Sequence, residues 1–253
     1  MARRRQDRGL SADPEHYFNR SQRPLQSLVF LLPFLLLYEA GVLLMPVNQQ
    51  VGHVQHILAR SLLADLLGLF GAAGGYLPGL AVVIVLLSWH LARGDKWEFD
   101  WRLNMAMGAE SMALAVPLLM FALLWGREPA WALMSPPPEA SRDIVYSLGA
   151  GVYEELVFRL MAIAILHLLL TDLIGLHTRT GAIIAIACSA GLFASYHFTA
   201  DNPFTWVKFT FYSAAGVYLA VLYVLRGFGI VAATHAFYDI FYVAMTYTAM
   251  GRH

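Results

Sequence analysis

The chain has 253 residues, of which 58% are hydrophobic and only 13% carry a formal charge. Because an ordinary soluble domain is about 25% charged, this composition is typical of a polytopic membrane protein and excludes a large soluble catalytic domain. The 17 basic and 17 acidic residues cancel, and the single cysteine, Cys188, excludes an intrachain disulfide.

The first 24 residues are polar and rich in arginine. Next to an apolar run, this cluster favours a cytosolic N-terminal tail over a nucleic-acid site, since positive charge is enriched on the cytosolic side of membranes. The run from Leu25 to Met45 has the length of one span, and no small-x-small cleavage pattern follows it. It is therefore predicted to be an uncleaved first span.

Six more apolar runs follow: Tyr76–Ala92, Met105–Trp125, Asp143–Leu170, Gly181–Phe198, Phe204–Leu225 and Phe228–Met250. Residues 53–72 are also apolar but carry Arg60 and Asp65, which favours a helix lying in the membrane interface. The pattern predicts an all-α fold, a polytopic transmembrane helix bundle of about seven or eight spans. Glu39 and Glu110 lie within spans and have no partner visible in the sequence.

The fourth predicted span, Asp143–Leu170, contains a cluster of charged residues. A charge at mid-helix costs about 2.5–3.5 kcal/mol on insertion scales, so such residues face the bundle interior and mark function. Glu155 and Arg159 are four apart, in the acid-first order that favours a helical ion pair. Glu154 points about 100° away from Glu155, so it is left for partners on other helices. A purely structural polar cluster is the alternative.

The later spans offer partners for that carboxylate. His197 follows Phe193 by four residues, and His235 precedes Asp239 by four, so that the second imidazole shares a helical face with an acid. These groups predict a polar cavity inside the bundle, suited to activating a water with or without a metal. The other histidines lie at predicted helix ends or in loops and are expected to be solvated: His53, His56, His90, His167 and His177.

Three motifs in this order resemble those of the CPBP (Abi) family, which comprises CAAX prenyl endopeptidases and bacteriocin-processing or self-immunity proteins. They are Glu154-Glu155-xxx-Arg159, Phe193-xxx-His197 and His235-xxx-Asp239. The resemblance covers about residues 145–245, and the combination of all three motifs makes it specific. It implies an intramembrane endopeptidase whose substrate is a membrane-embedded or lipidated peptide or protein.

The composition, the arginine-rich start and the resemblance together predict where the protein lies and how it is organised. We expect an integral protein of a bacterial cytoplasmic membrane with a cytosolic N-terminus, whose partners are membrane lipid and the substrate but no nucleic acid. Three regions are predicted: a cytosolic tail (1–24), N-terminal spans (25–142) and a catalytic membrane core (143–253).

The resemblance assigns a role to each matching position. Glu154 would be the general base that activates water, and His197 would help to hold that water. His235 and Asp239 would stabilise the tetrahedral oxyanion. The last two motif residues, which would shape the site, are Glu155 and Arg159.

One position departs from the pattern of the prenyl endopeptidases, which generally have asparagine where this chain has Asp239. An amide can donate a hydrogen bond to an oxyanion, whereas an ionised carboxylate cannot. Asp239 would therefore be protonated, bind a metal, or orient His235 through its ring N–H. The departure weakens the CAAX substrate assignment more than the family assignment.

The cofactor is left open by the spacing. The set Glu154, His197, His235 and Asp239 could hold zinc with an open water position, as in a metalloprotease. However, the sequence has no H-E-x-x-H helix, and a glutamate with a histidine can activate water without a metal. By a small margin, we favour the metal-independent mechanism.

Two other classes of protein place carboxylates and histidines at mid-membrane. A proton-coupled transporter predicts broken helices in two related halves, whereas the charges within spans here are concentrated in the second half. A non-catalytic family member that binds a peptide or partner, as an immunity protein does, is disfavoured by the intact motifs.

For the motif residues to meet, residues 198–205 are predicted to dip into the membrane, where they would line a wet cavity.

Overall fold

The computed structural model describes residues 14–44, 57–71, 74, 76–125, 140–199 and 202–250, and every regular element in these ranges is helical. The helices are α1 (Pro14–Ser21), α2 (Pro24–Leu44), α3 (Leu58–Leu69), α4 (Leu77–Arg93), α5 (Trp101–Trp125), α6 (Ala140–Glu155), α7 (Ala164–His167), α8 (Thr178–Tyr196), α9 (Trp206–Arg226) and α10 (Phe228–Met250). A π-helical segment, Leu156–Ile163, joins α6 to α7, and a second, Leu168–Leu173, follows α7, so that residues 140–173 form one continuous helical stretch.

Six helical stretches in the described part of the chain are long and apolar enough to cross a membrane, and α4 is a shorter apolar helix. The six are Pro24–Leu44, Trp101–Trp125, Ser141–Leu173, Thr178–Tyr196, Trp206–Arg226 and Phe228–Tyr247. With 12 residues, α3 is too short to span. The predicted polytopic helical bundle is confirmed, and the chain is an integral membrane protein.

The structure differs from the predicted interfacial helix over residues 53–72. α3 is shorter, and residues 53–56 and 72 lie outside the described residues. Asp65 is exposed, as an interfacial position requires, but Arg60 is only 5% exposed. Burial of Arg60 is possible because its guanidinium donates two hydrogen bonds to Glu39 of α2, at 3.1 and 3.0 Å. Although desolvation lowers the pKa of Arg60, these contacts with Glu39 outweigh it and raise the pKa above its ordinary value.

Two close helix crossings hold the second half of the chain together. At the α6–α10 crossing, a Cβ added to Gly151 would lie 2.4 Å from the carbonyl oxygen of Ala232. At the α8–α9 crossing, a Cβ added to Gly216 would lie 3.0 Å from Cα of Ala190. Small residues let helices in a membrane approach this closely. These crossings bring the motif-bearing segments into contact.

Residues of α1 and of the turn that follows it make contacts at one end of the bundle. Arg20 pairs with Asp100 at 3.0 Å, and Gln22 donates a hydrogen bond to the carbonyl oxygen of Leu225 at 3.0 Å. The loop before α5 and the end of α9 therefore lie at the same end of the bundle as α1. This placement agrees with helices that alternate in direction through the bundle.

A second buried ion pair joins α5 to α9. Nε and Nη2 of Arg226 lie 2.5 and 2.7 Å from the carboxylate oxygens of Glu110. The Tyr17 hydroxyl donates to the same carboxylate at 2.5 Å, and the guanidinium lies 4.1 Å from the ring centroid of Phe18. The sequence shows no partner for Glu39 or Glu110, and the fold supplies an arginine to each.

The expectation that the non-motif histidines are solvated is wrong for His90. This residue is 1% exposed near the end of α4, because its ring packs edge-on against Trp97 with centroids 4.5 Å apart. His177 is exposed, as expected, and its Nδ1 accepts a hydrogen bond from the backbone N–H of Arg179 at the start of α8. His53 and His56 lie outside the described residues.

Candidate active site

Glu155 is completely buried and binds one group with each carboxylate oxygen. Oε2 lies 3.0 Å from Nε of Arg159, whose side chain is also 0% exposed. Oε1 lies 2.7 Å from Nδ1 of His235 on α10. The ion pair four residues apart forms as its spacing predicts, while the contact with His235 joins the first motif to the third.

Arg159 in turn joins the first motif to the second. Its guanidinium carbon lies 4.2 Å from the ring centroid of Phe193 on α8, a distance at which a cation is attracted to the face of an aromatic ring. Nη2 also donates a 3.4 Å hydrogen bond to the carbonyl oxygen of Gly216 on α9. Arg159 thus holds the segment after α6 against both α8 and α9.

Glu154 lies next to this pair but faces different groups. Its Oε2 is 3.9 Å from Nε2 of His197 and 3.9 Å from Nε2 of His235. Its Oε1 accepts a hydrogen bond from the hydroxyl of Tyr196 at 3.3 Å. Among the described residues, Oε2 has no direct hydrogen-bond partner although it is buried. The two oxygens of Glu154 therefore have distinct surroundings.

His197 is positioned at the C-terminal end of α8. Its Nδ1 lies 2.7 Å from the carbonyl oxygen of Phe193. Because a carbonyl oxygen can only accept, Nδ1 carries a proton, and Nε2, which faces Glu154, is an acceptor when the ring is neutral. The ring stacks on Tyr212 of α9, with centroids 4.2 Å apart and an interplanar angle of 20°.

The segment after α8 folds back along α9. The side-chain amide of Asn202 donates to the carbonyl oxygen of His197 at 2.7 Å and to the Tyr212 hydroxyl at 3.3 Å. Its oxygen accepts from Nζ of Lys208 at 2.6 Å. Tyr212 lies about 9 Å along α9 from its first residue, Trp206. This arrangement agrees with the predicted inward dip of residues 198–205, of which 200 and 201 lie outside the described residues.

Three carboxylates surround the ring of His235. Besides Glu155 at Nδ1, Glu154 and Asp239 face Nε2 at 3.9 and 3.6 Å. Neither of the last two distances is a hydrogen bond. The Asp239 side chain is 28% exposed, whereas those of His235 and Glu154 are 6% and 9% exposed. Asp239 is thus the most exposed member of this group.

The structure brings the six residues singled out from the sequence into one connected cluster, and it adds others. The predicted residues are Glu154, Glu155, Arg159, His197, His235 and Asp239. The three that sequence reasoning did not select are Tyr196, Asn202 and Tyr212. For Tyr196, the only signal in the sequence is its place beside His197, which is compatible with cavity lining and with plain packing alike.

The donor atoms of the cluster do not have the arrangement of a zinc site. Among the described residues, no group of three or more His, Cys, Asp or Glu side chains is placed to hold a metal ion. Tetrahedral zinc with bonds of about 2.0–2.2 Å separates neighbouring ligand atoms by roughly 3.3–3.6 Å. The distances from Oε2 of Glu154 to Nε2 of His197 and to Nε2 of His235 are both 3.9 Å, wider than this separation. The cluster therefore does not fit the ion as it stands.

Comparison with known proteins bears on this geometry. A family model described as type II CAAX prenyl endopeptidase Rce1-like matches residues 138–241, a range that contains the whole cluster of six residues. Residues 138–241 therefore match a model of the CPBP family. The resemblance stated from the three motifs is thereby confirmed, and the match to a protease family supports an intramembrane peptidase in general. A search of curated proteins and a search of solved structures each found no match.

Proposed function

We propose that the protein is an intramembrane endopeptidase in which Glu154 activates a water molecule for attack on a peptide bond. The observation that carries the proposal is the position of Glu154 Oε2. This buried oxygen lies 3.9 Å from two imidazole nitrogens and has no direct hydrogen-bond partner in the described part of the chain. Oε2 is therefore a buried basic atom that lies near other polar groups without accepting a direct hydrogen bond from them.

The distance between Glu154 and His197 suits a bridging water. Both Oε2 and the Nε2 lone pair are acceptors, so they repel when they face each other without a donor between them. One water with hydrogen bonds of about 2.8 Å to each spans a gap of this size. Such a water has its lone pair directed away from both acceptors, towards the space where a carbonyl carbon would lie.

The reaction then proceeds by general-base catalysis. Glu154 takes a proton from the water while the water oxygen bonds to the carbonyl carbon, and the carbonyl oxygen becomes an oxyanion. When the tetrahedral intermediate collapses, the C–N bond breaks and the leaving amine takes the proton back from Glu154. The products are a carboxylic acid and an amine, which ionise to a carboxylate and an ammonium group, and only water is consumed.

His235 is proposed to stabilise the oxyanion. Glu155 accepts from Nδ1–H, which fixes the ring, and a protonated ring presents Nε2–H to the side where Glu154 and Asp239 lie. Asp239 lies 3.6 Å from that nitrogen. An ionised carboxylate there cannot donate to the oxyanion, but it balances the charge of the ring and orients it. This assignment uses the aspartate in place of the asparagine of the prenyl endopeptidases without requiring a metal.

The substrate class follows from the position of the site among membrane helices. Large apolar side chains are exposed on the helices around it, as lipid contact requires: Leu192 on α8, Val217 on α9 and Ile165 on α7 are 52%, 43% and 52% exposed. A peptide bond reaches such a site from the bilayer. We therefore propose a membrane-embedded or lipid-anchored protein as the substrate.

Glu154→Gln tests the proposal. The change preserves the shape of the side chain but removes the base, so cleavage should be lost while the protein remains folded. The membrane proteome of cells that express this variant should accumulate at least one uncleaved protein that wild-type cells process. Asp172→Asn is the matched control, since it removes an exposed carboxylate from the far end of the same helical stretch. An identical set of processed proteins in wild-type and Glu154→Gln cells would refute the proposed function.

A further inference from the structure

Tyr196 lies between the proposed catalytic base and a helix from the N-terminal half of the chain. Its hydroxyl is 3.3 Å from Oε1 of Glu154 and 2.8 Å from the backbone nitrogen of Ala59, the second residue of α3. The ring packs edge-on against Phe158 and His197, with centroids 5.0 and 5.3 Å away. Tyr196 belongs to none of the three sequence motifs.

The chemistry of these neighbours fixes the direction of both hydrogen bonds. The N–H of Ala59 can only donate, so the hydroxyl oxygen of Tyr196 must accept from it. The single hydroxyl proton is then directed to Glu154, whose ionised carboxylate can only accept. A hydroxyl that both accepts and donates forms a stronger, polarised donor than one that only donates. Tyr196 therefore presents its proton to Oε1 of the base.

This bond separates the functions of the two carboxylate oxygens. Because Oε1 is held by Tyr196, the carboxylate plane cannot rotate freely, and Oε2 remains directed at His197 and His235. Without the bond, the carboxylate plane could turn to intermediate angles, since the last side-chain torsion is broad. Only a carboxylate plane close to the present one directs a lone pair at the bridging water.

The partner of Tyr196 on α3 is itself fixed in place. The N–H of Ala59 belongs to the first turn of α3, where no intrahelical acceptor exists. The next residue, Arg60, is held by its two hydrogen bonds to Glu39 of α2. The position of α3 therefore affects the orientation of Glu154 through the two hydrogen bonds of Tyr196, one with Ala59 and one with Glu154. The match to the protease family begins at residue 138, so this support comes from outside it.

We propose that Tyr196 is a positioning residue for the hydrolysis: it holds the carboxylate of Glu154 in the reactive orientation and is itself oriented by α3. The inference rests on the proposed function. It assigns to α3, a helix too short to span the membrane, a part in organising the active site.

Tyr196→Phe removes the hydroxyl and keeps the ring. With a fluorogenic peptide built on the cleavage site that the Glu154→Gln comparison identifies, kcat should fall roughly 10–100-fold, since the lost hydrogen bond is to a charged group. KM should stay within about twofold, because Tyr196 is not proposed to bind substrate and its bond is needed equally in free and bound enzyme. Tyr218→Phe is the matched control: its half-buried hydroxyl donates to the carbonyl oxygen of Leu114 at 2.7 Å, and its loss should leave kcat unchanged.

Hydrogen exchange gives a second measurement that does not depend on cleavage. In Tyr196→Phe the N–H of Ala59 loses its acceptor, so peptides that cover residues 57–63 should gain deuterium faster than in the wild type. The same peptides should be unaffected in Tyr218→Phe.

The outcomes separate the inference from the proposed function. If wild type and Tyr196→Phe cleave with equal kcat, the positioning role is wrong and the proposed function stands. If KM rises while kcat is unchanged, Tyr196 binds substrate and the inference is again wrong. Unchanged exchange at residues 57–63 would remove the link to α3. A wild-type protein that cleaves nothing overturns the proposed function, and the inference with it.

Discussion

Glu155→Gln removes one charge from a buried ion pair and leaves the shape of the side chain almost unchanged. Glu155 and Arg159 are both 0% exposed, and the charged atoms lie 3.0 Å apart. Removing one partner of such a pair costs about 3–5 kcal/mol, because the other charge is left uncompensated in a medium of low dielectric constant. For a chain of this size, that loss corresponds to a melting temperature lower by roughly 6–20 °C.

The contacts that remain around Arg159 set the lower end of that range. After the change, the guanidinium would retain the ring of Phe193 at 4.2 Å and the carbonyl oxygen of Gly216 at 3.4 Å. The first contact contributes about 0.5–2 kcal/mol, which does not replace a full negative charge. The glutamine oxygen supplies only a partial charge in its place.

Thermal unfolding of the purified protein in detergent, followed by intrinsic fluorescence, measures the effect. A double variant, Glu155→Leu with Arg159→Leu, supplies the control, since it removes both charges at once. Apolar pairs often replace buried ion pairs with little loss of stability, so the double variant should recover part of the melting temperature, although Nδ1 of His235 loses its acceptor, and it should remain inactive. If Glu155→Gln melts at the wild-type temperature while turnover vanishes, the pair is not structural and Glu155 takes part in the chemistry.

Three further predictions concern packing, pH and metal. Gly151→Val should sharply reduce the folded yield because even a Cβ at this site meets the backbone of α10, whereas Gly191→Ala meets nothing within 4 Å; equal yields would contradict the close crossing. At Asp100, burial by itself raises the pKa of the carboxyl group, but the backbone N–H of Leu103 and the guanidinium of Arg20 stabilise the charged form more strongly, so the pKa lies below its ordinary value of 3.8. The ionised Asp100 therefore stabilises the fold above pH 3.8, and this contribution is lost as the pH falls below that value. Asp100→Asn should remove this part of the acid dependence of the melting temperature, and an unchanged dependence would count against it. Phenanthroline should leave most of the peptidase activity; loss on stripping with recovery on adding zinc would show that a metal is required.

The parts of the site that lie within one helix could be predicted from the sequence. Helical periodicity places residues four apart on one face, which was enough to pair Glu155 with Arg159 and to set His235 beside Asp239. Hydropathy was enough to locate the membrane helices to within a few residues, because a charge facing lipid is so unfavourable. Both arguments use only local geometry and the properties of the bilayer.

Contacts between helices could not be predicted in the same way. Glu39 pairs with Arg60, 21 positions further along the chain, because of the way in which the short helix α3 packs in the bundle. A hydropathy pattern does not show which side of α3 faces the bundle interior. The bond from Tyr196 to Glu154 depends on a crossing angle between helices and on the end of α8. His90 was expected in solvent because it lies near a helix end, yet Trp97 covers it. These outcomes depend on tertiary packing, for which a single sequence carries no direct signal.

The pairing of Glu110 with Arg226 has a consequence for how the protein is made. The two residues are 116 positions apart, and α5 leaves the ribosome well before α9 exists. At about 5–20 residues per second, Glu110 waits roughly 6–23 seconds for its arginine. Its insertion during that interval is opposed by about 2.5–3.5 kcal/mol, with only the hydroxyl of Tyr17 at hand to offset it. α5 is therefore expected to depend on the insertion machinery until the chain is nearly complete, and a ribosome-bound chain that ends before residue 226 should still crosslink to the translocon through α5.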